Sequence, residues 1–365
     1  MHSQSKQLPA IPPTEAIAGP ASWPVSKFSD LVALADWRDR EYVEVPLGHG
    51  ELKFVEEGLR FDGRILKADR ETRLRLLAKV GAPTAYWEEH TPSFQAEALS
   101  EHARRFDFGR EPKAVLQNGD LFTLVDPDLT NLSIADVLRA IAEELGADAD
   151  HLLVARIEDT GELVEAELFS PMQATEVRRG DVVQSGISVL HAPYGKQATQ
   201  IQAFIYRLIC SNGMTRRECV SRDNIVRTRR LPPDRYANAR ELQLSQIRRL
   251  VRRTWTSLRA HLDAFRATRE RGADVEELLQ QWLLRGRIST NGMMPRLLAA
   301  WREEGSDDSI YGAINALTRL ATHDRRLSSR QRRTFASLAG LLAFRDVHLC
   351  PRCFSVLGHG QRGGE

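Results

Sequence analysis

Residues 181–271 constrain the fold more than any other stretch. In DVVQSGISVLHAPYG and ATQIQAFIYRLICSNGM apolar and polar residues nearly alternate, with turn residues at 192–196 and at Ser211-Asn212-Gly213. Alternation at period two puts successive side chains on opposite faces of a strand. Phe204, Tyr206 and Leu208 then share one face, and Ile205, Arg207 and Ile209 the other. Both faces are apolar enough to predict a strand covered on both sides. TRRECVSRDNIVRTRR reads as a third short extended segment, and LPPDR breaks the chain after it. From 239 to 271 the period changes: Ile247, Leu250, Val251, Leu258, Leu262 and Phe265 recur at helical spacing. The expected centre is an antiparallel β-meander followed by a long basic helix. At 1.5 Å per residue, ~30 residues span ~45 Å, which predicts a helix that protrudes or packs along a second subunit.

The same stretch carries the electrostatic asymmetry of the chain. Residues 201–271 hold 17 Arg and no Lys against six acids, a net charge of +11 in a chain whose total is +2, so the remainder sums to −9. A basic block favours an anionic partner such as nucleic acid, where folding gathers it on one face. The candidate contacts are Arg216, Arg217, Arg222, Arg227, Arg229 and Arg230 in the extended segment, then Arg248, Arg249, Arg252 and Arg253 on the helix. Tyr206, Tyr236 or Trp255 would offer a stacking face. The plainer alternative is a solvated helix face, with some arginines paired to acids of the N-terminal half.

Around this centre the chain divides by composition. Residues 1–25 are rich in Pro, Ala and Ser without periodicity and read as a flexible leader. Residues 26–170 read as an α+β region. It holds a helix in SDLVALADWRDR capped by Ser29 or Asp30, a small meander over 41–69, and helices in ADRETRLRLLAKVGAP and SFQAEALSEHARRF. Phe94, Ala98 and Leu99 are expected to face the core. Two apolar runs flank Asn118-Gly119, the pair that tolerates positive φ in a type I′ hairpin turn. A capped helix, SIADVLRAIAEELGAD, and two strands about Asp159-Thr160-Gly161 complete the region. Residues 171–272 form the central unit, 273–345 a helical C-terminal region and 346–365 a Cys-x-x-Cys tail. The fold class is α+β with a helical C-terminal third.

Little in the sequence points to a reaction. The chain lacks Gly-x-x-x-x-Gly-Lys-Ser/Thr, His-Glu-x-x-His and Gly-x-Ser-x-Gly. Alternate carboxylates among Glu158, Asp159, Glu162, Glu165 and Glu167 could hold Mg²⁺, although a solvated edge strand explains them equally well. Cys350 and Cys353, with His348 and His359, offer a thiolate–imidazole set of the kind that binds zinc; the alternative is a tail with two thiols. No apolar run approaches the ~20 residues of a membrane span, and no signal-peptide core opens the chain, so a cytoplasmic protein is expected. The expected function is non-enzymatic binding of nucleic acid, single-stranded DNA first, by a homo-oligomer. The alternatives are docking on an acidic partner protein and a metal-dependent nuclease.

The segment SGISVLHAPYGKQATQIQAFIYRLICSNGM resembles proteins grouped as domain of unknown function 932, known from phages and plasmids. Their R-L-x-C-x-N-G-M motif reads here Arg207-Leu208-Ile209-Cys210-Ser211-Asn212-Gly213-Met214. SIYGAINALTRLATHD resembles a later segment of that family, through Tyr311, Asn315, Ala316, Leu317, Thr318 and His323, and matches only in part because the family pattern has an aromatic or small residue where this chain has Arg319–Ala321. The resemblance covers roughly 106–344. It implies a mobile-element context and no agreed activity. The β-meander followed by a basic helix is also similar, at the level of fold alone, to Rad52-like single-strand annealing proteins.

Overall fold

The computed structural model describes residues 27–47, 52–82, 87–105, 112–125, 132–194, 199–207, 212–216, 233–286 and 288–344. The N-terminal part opens with helix α1 (Phe28–Arg40) and strands β1 (Tyr42–Pro46), β2 (Lys53–Val55), β3 (Gly58–Phe61) and β4 (Arg64–Lys67). Helices α2 (Arg70–Val80) and α3 (Pro92–Arg105) precede strands β5 (Lys113–Gln117) and β6 (Asp120–Val125). The meander expected over 41–69 is only three strands, β2-β3-β4; β1 leaves it and pairs with β5 in a second sheet, β1-β5-β6. Pairing across about 70 residues is invisible to local periodicity. The β5–β6 hairpin turns as expected, with Asn118 at φ 53° and Gly119 at φ 89°.

Two local expectations fail. Lys27, without a side-chain cap bond, is the N-cap of α1, so Ser29 and Asp30 lie inside the helix. Phe94 is 49% exposed, lying against His90, because Ala96, Leu99 and Ala103 already form the inward stripe of α3.

The centre is one five-stranded antiparallel sheet. Helix α4 (Ile134–Leu145), closed by a capping box between Ser133 and Asp136, leads into β7 (Leu153–Asp159), β8 (Val164–Arg178), β9 (Asp181–His191), β10 (Gln200–Arg207) and β11 (Asn212–Arg216). The order is β11-β10-β9-β8-β7, so every neighbour in sequence is a neighbour in space. The boundary drawn at 170 falls inside β8, whose pairing with β9 runs from Val164 to Arg178. Asn212 and Gly213, expected in a turn, are paired instead with Arg207 and Tyr206 at the start of β11. At Gly186 of β9 a Cβ would lie 1.8 Å from the Leu168 carbonyl oxygen of β8, so only glycine permits the approach.

The two faces of this sheet differ in chemistry. Val164, Ala166, Leu168, Ile187, Val189 and Ile201 form one core with α1, α4 and the first half of α5 (Pro233–Ala267). The second half of α5, through Leu262 and Phe265, enters another core with α6 (Val275–Arg285), α7 (Thr290–Glu303), α8 (Ile310–His323) and α9 (Ser329–Phe344). Helix α5 therefore neither protrudes nor needs a second subunit to cover its stripe. Ile247, Val251, Leu258, Leu262 and Phe265 are all buried within the chain. Its 35 residues are accommodated because two successive cores share one helix.

Candidate nucleic-acid interface

Helix α5 sets the position of every candidate arginine that lies on it. Its buried stripe faces the sheet and the C-terminal helices, while residues about 100° apart per step occupy the remaining surface. Arg248 and Arg252 fall on the side towards α4. Arg248 donates to Glu143 at 2.8 Å and to Glu241 at 2.7 Å, and Arg252 binds Glu144 through two nitrogens at 2.6 and 3.1 Å. Its bonds to the Glu241 and Glu143 carboxylates hold the Arg248 guanidinium above its ordinary pKa, and Glu144 does the same for Arg252. Arg240 adds a contact to Asp136 at 2.6 Å, and the Trp255 indole donates to Asp148 at 3.0 Å. Trp255 is thus tied by its ring nitrogen to an acid of the 146–151 turn rather than presented alone as a stacking face.

Arg249 and Arg253, one turn apart, point away from the core. Both are exposed, and among the described residues neither has an ion-pair partner. Further along, Arg259 sits 3.8 Å from Asp263 one turn on, in exposed surroundings. The block that looked uniform in sequence is therefore split by folding into a paired side and an open side. Arg216 ends β11, opposite Ala203 of β10. Arg217, Arg222, Arg227, Arg229 and Arg230 lie outside the described residues, as do His348, Cys350, Cys353 and His359. Among the described residues no group of three or more His, Cys, Asp or Glu could hold a metal ion.

A second polar constellation lies on the sheet face away from α5. Glu158 of β7 pairs across with Glu165 of β8, and Arg156 with Glu167. Arg156 reaches Glu158 at 3.1 Å and Glu165 at 3.5 Å, and Arg333 from α9 reaches Glu165 at 3.2 Å. Burial pushes the Glu167 carboxyl up to about 7; Arg156 opposes the shift, and Glu165 and Glu158 add to it. The solvated-edge explanation of these acids is corrected for β8, an interior strand in which Glu165 is 7% exposed. Asp159 is not solvated either: buried Arg38 of α1 clamps it, with one bond at 2.9 Å.

Two of the residues carrying the family resemblance, Tyr311 and Thr318, serve the scaffold. The Tyr311 hydroxyl donates to Asp181, joining α8 to the start of β9, and Tyr311 packs edge-on against Phe265. Thr318 returns its hydroxyl to the carbonyls of Ile314 and Asn315, all buried. Sequence reasoning missed Arg156, Arg333 and Asp181. For Arg156 a signal existed, since Arg156 and Glu158 alternate on β7 as Glu165 and Glu167 do on β8. Arg333 and Asp181 meet their partners across more than 120 residues, which no spacing rule reports.

No helix among the described residues is long and apolar enough to cross a membrane. No curated protein and no solved structure matches the chain. The sequence model of the domain of unknown function 932 matches residues 130–342, which takes in α4, the whole five-stranded sheet, α5 and nearly all of the C-terminal helices. On that match over more than half its length, the chain belongs to the family of the domain of unknown function 932.

Proposed function

We propose that this protein binds nucleic acid without catalysing a reaction on it, single strands being the first substrate to test, with the outward side of α5 as the contact surface. The observation that carries this reading is the pair Arg249 and Arg253: exposed, one turn apart, opposite the buried stripe, and without ion-pair partners among the described residues. Guanidiniums so placed meet phosphates by electrostatic capture with little base readout. The mobile-element setting implied by the family resemblance is consistent with such a role. A homo-oligomer lining up several copies of α5 would lengthen the basic track.

The reading sets a magnitude. Two phosphate contacts on a single strand give a log K against log salt slope of about −1.4, and four contacts about −2.8. Binding should therefore be weak for one protomer and lost steeply with salt. Fluorescence anisotropy with a labelled oligothymidylate at low salt tests it. The expected result is saturable binding that Arg249→Glu with Arg253→Glu abolishes; no binding at low salt, or binding unchanged in that variant, overturns it. An acidic partner protein would use the same side of the helix, and competition between the oligonucleotide and a polyglutamate separates the two.

A further inference from the structure

The pairing between α4 and α5 has a consequence for affinity that exposed arginines alone do not. Glu143 and Glu144 are adjacent on α4, and each occupies a guanidinium of α5, Arg248 and Arg252, that lies one position from an open one, Arg249 and Arg253. The shared apolar core holds the two helices together, with Ile141 and Leu145 of α4 packed in one cluster with Leu244, Ile247 and Val251 of α5. The acids therefore cannot leave by moving the helix; only the side chains can part.

Each pair keeps one member in solvent. Glu143 is 58% exposed against 29% for Arg248, and Arg252 71% against 10% for Glu144, so solvent and salt screen each pair from one side. Arg248 and Arg252 project about 100° around the helix from Arg249 and Arg253, so a run of phosphates passing from the open side to the paired side would offer them an equivalent bidentate partner. We infer that Glu143 and Glu144 are internal anions competing with bound nucleic acid for Arg248 and Arg252, so that α4 sets both the affinity of the surface and the number of phosphates it neutralises. This rests on the reading of α5 as the contact surface. In the resting state the open pair makes first contact; the paired arginines join only when a polyanion outcompetes the carboxylates. A partner with a single phosphate would not achieve this, whereas a chain of phosphates would, so the device favours polymers over mononucleotides.

The experiment compares the intact chain with Glu143→Gln/Glu144→Gln and Arg249→Glu/Arg253→Glu, using labelled oligothymidylate across a salt series. Removing the carboxylates should tighten binding by roughly 2- to 10-fold, the range that exposed ion pairs command. It should also steepen the log–log salt slope by about 0.7, for Arg252, which Glu144 holds, while Arg248 keeps its bond to Glu241. Tighter binding with a steeper slope supports the inference. If the arginine variant loses binding but the glutamine variant matches the intact chain in affinity and slope, α5 is the surface and α4 is scaffold only, and the inference fails alone. If the intact chain does not bind and the glutamine variant does, internal competition is supported in its strongest form. If neither binds at low salt, both readings fall. Thermal melting of each variant shows that the comparison is made on folded protein.

Discussion

The two faces of the five-stranded sheet are built from the same five strands and solve opposite problems. On one face Val164, Ala166, Leu168, Ile187 and Val189 meet the stripes of α1, α4 and α5 and exclude water. On the other, β8 sets Glu165, Glu167 and Phe169 where its first face has Val164, Ala166 and Leu168, and guanidiniums from β7 and α9 answer the acids. The apolar face gains from every methylene it buries, whatever the pH. The charged face holds carboxylates and guanidiniums that each lose hydration, so its contribution depends on geometry and on protonation. Adjacent residues of one strand should consequently respond to substitution with opposite sign.

The largest effect belongs to the apolar face. Leu168 is fully buried beneath the helices, and Leu168→Ala should cost about 2–5 kcal/mol, as deletions of buried leucine side chains do. Urea unfolding followed by tryptophan fluorescence should show the same loss at pH 5 and pH 8. A cost below about 1 kcal/mol would mean that the face is loosely packed and that the contrast between the faces is false.

How far the sequence announced this architecture follows from the range of each interaction. Alternation revealed the strands β7 to β10 because a residue and its second neighbour share a face, and the hairpin at Asn118-Gly119 was legible because two adjacent residues need positive φ. The stripe of α5 was legible too, but not what covers it, since Leu244 and Leu262 enter different cores formed by elements far apart in the chain. The basic block was visible as composition. Its division into paired and open arginines was not, because Glu143 and Glu144 lie more than 100 residues before the arginines they bind. Net charge over a window counts arginines; only the fold says which of them already have an anion.

Next in size is the neighbour of Leu168. Glu167 has its carboxyl pushed up to about 7 from an ordinary 4.5, so the folded chain holds a proton that the unfolded chain releases near pH 4.5. For an acid raised in the folded state, stability falls as pH rises from the unfolded value through the folded one, and the penalty is complete above it. Glu167→Gln removes the charge and with it the penalty. The variant should match the intact chain near pH 4 and exceed it at pH 8 by about 1–3 kcal/mol, at 1.36 kcal/mol per unit discounted for partial exposure. Denaturation at the two pH values reads the gap directly. Equal stabilities at pH 8 would show that Arg156 neutralises Glu167 fully and that the charged face carries no pH dependence of its own.

The smallest effect tests whether the charged face acts as a unit. Arg333 is the contribution of α9 to the cluster, 3.2 Å from Glu165, with 30% of its side chain exposed. Replacing it by methionine keeps the stem that packs and removes the charge; the cost should be about 1 kcal/mol, the upper end for a partly exposed ion pair, because Arg156 still faces the buried Glu165. Its dependence on pH is more telling than its size. With Glu167 protonated, Arg156 and Arg333 balance Glu158 and Glu165; with Glu167 ionised, the same five groups carry one excess negative charge. Arg333→Met should therefore cost more at pH 8 than at pH 5, and the difference should vanish in the Glu167→Gln background. If it persists there, Arg333 senses some other group, and the link between α9 and the proton on Glu167 is broken. If it vanishes, the polar face of the sheet responds to pH as one network while the apolar face beneath α5 stays indifferent to it.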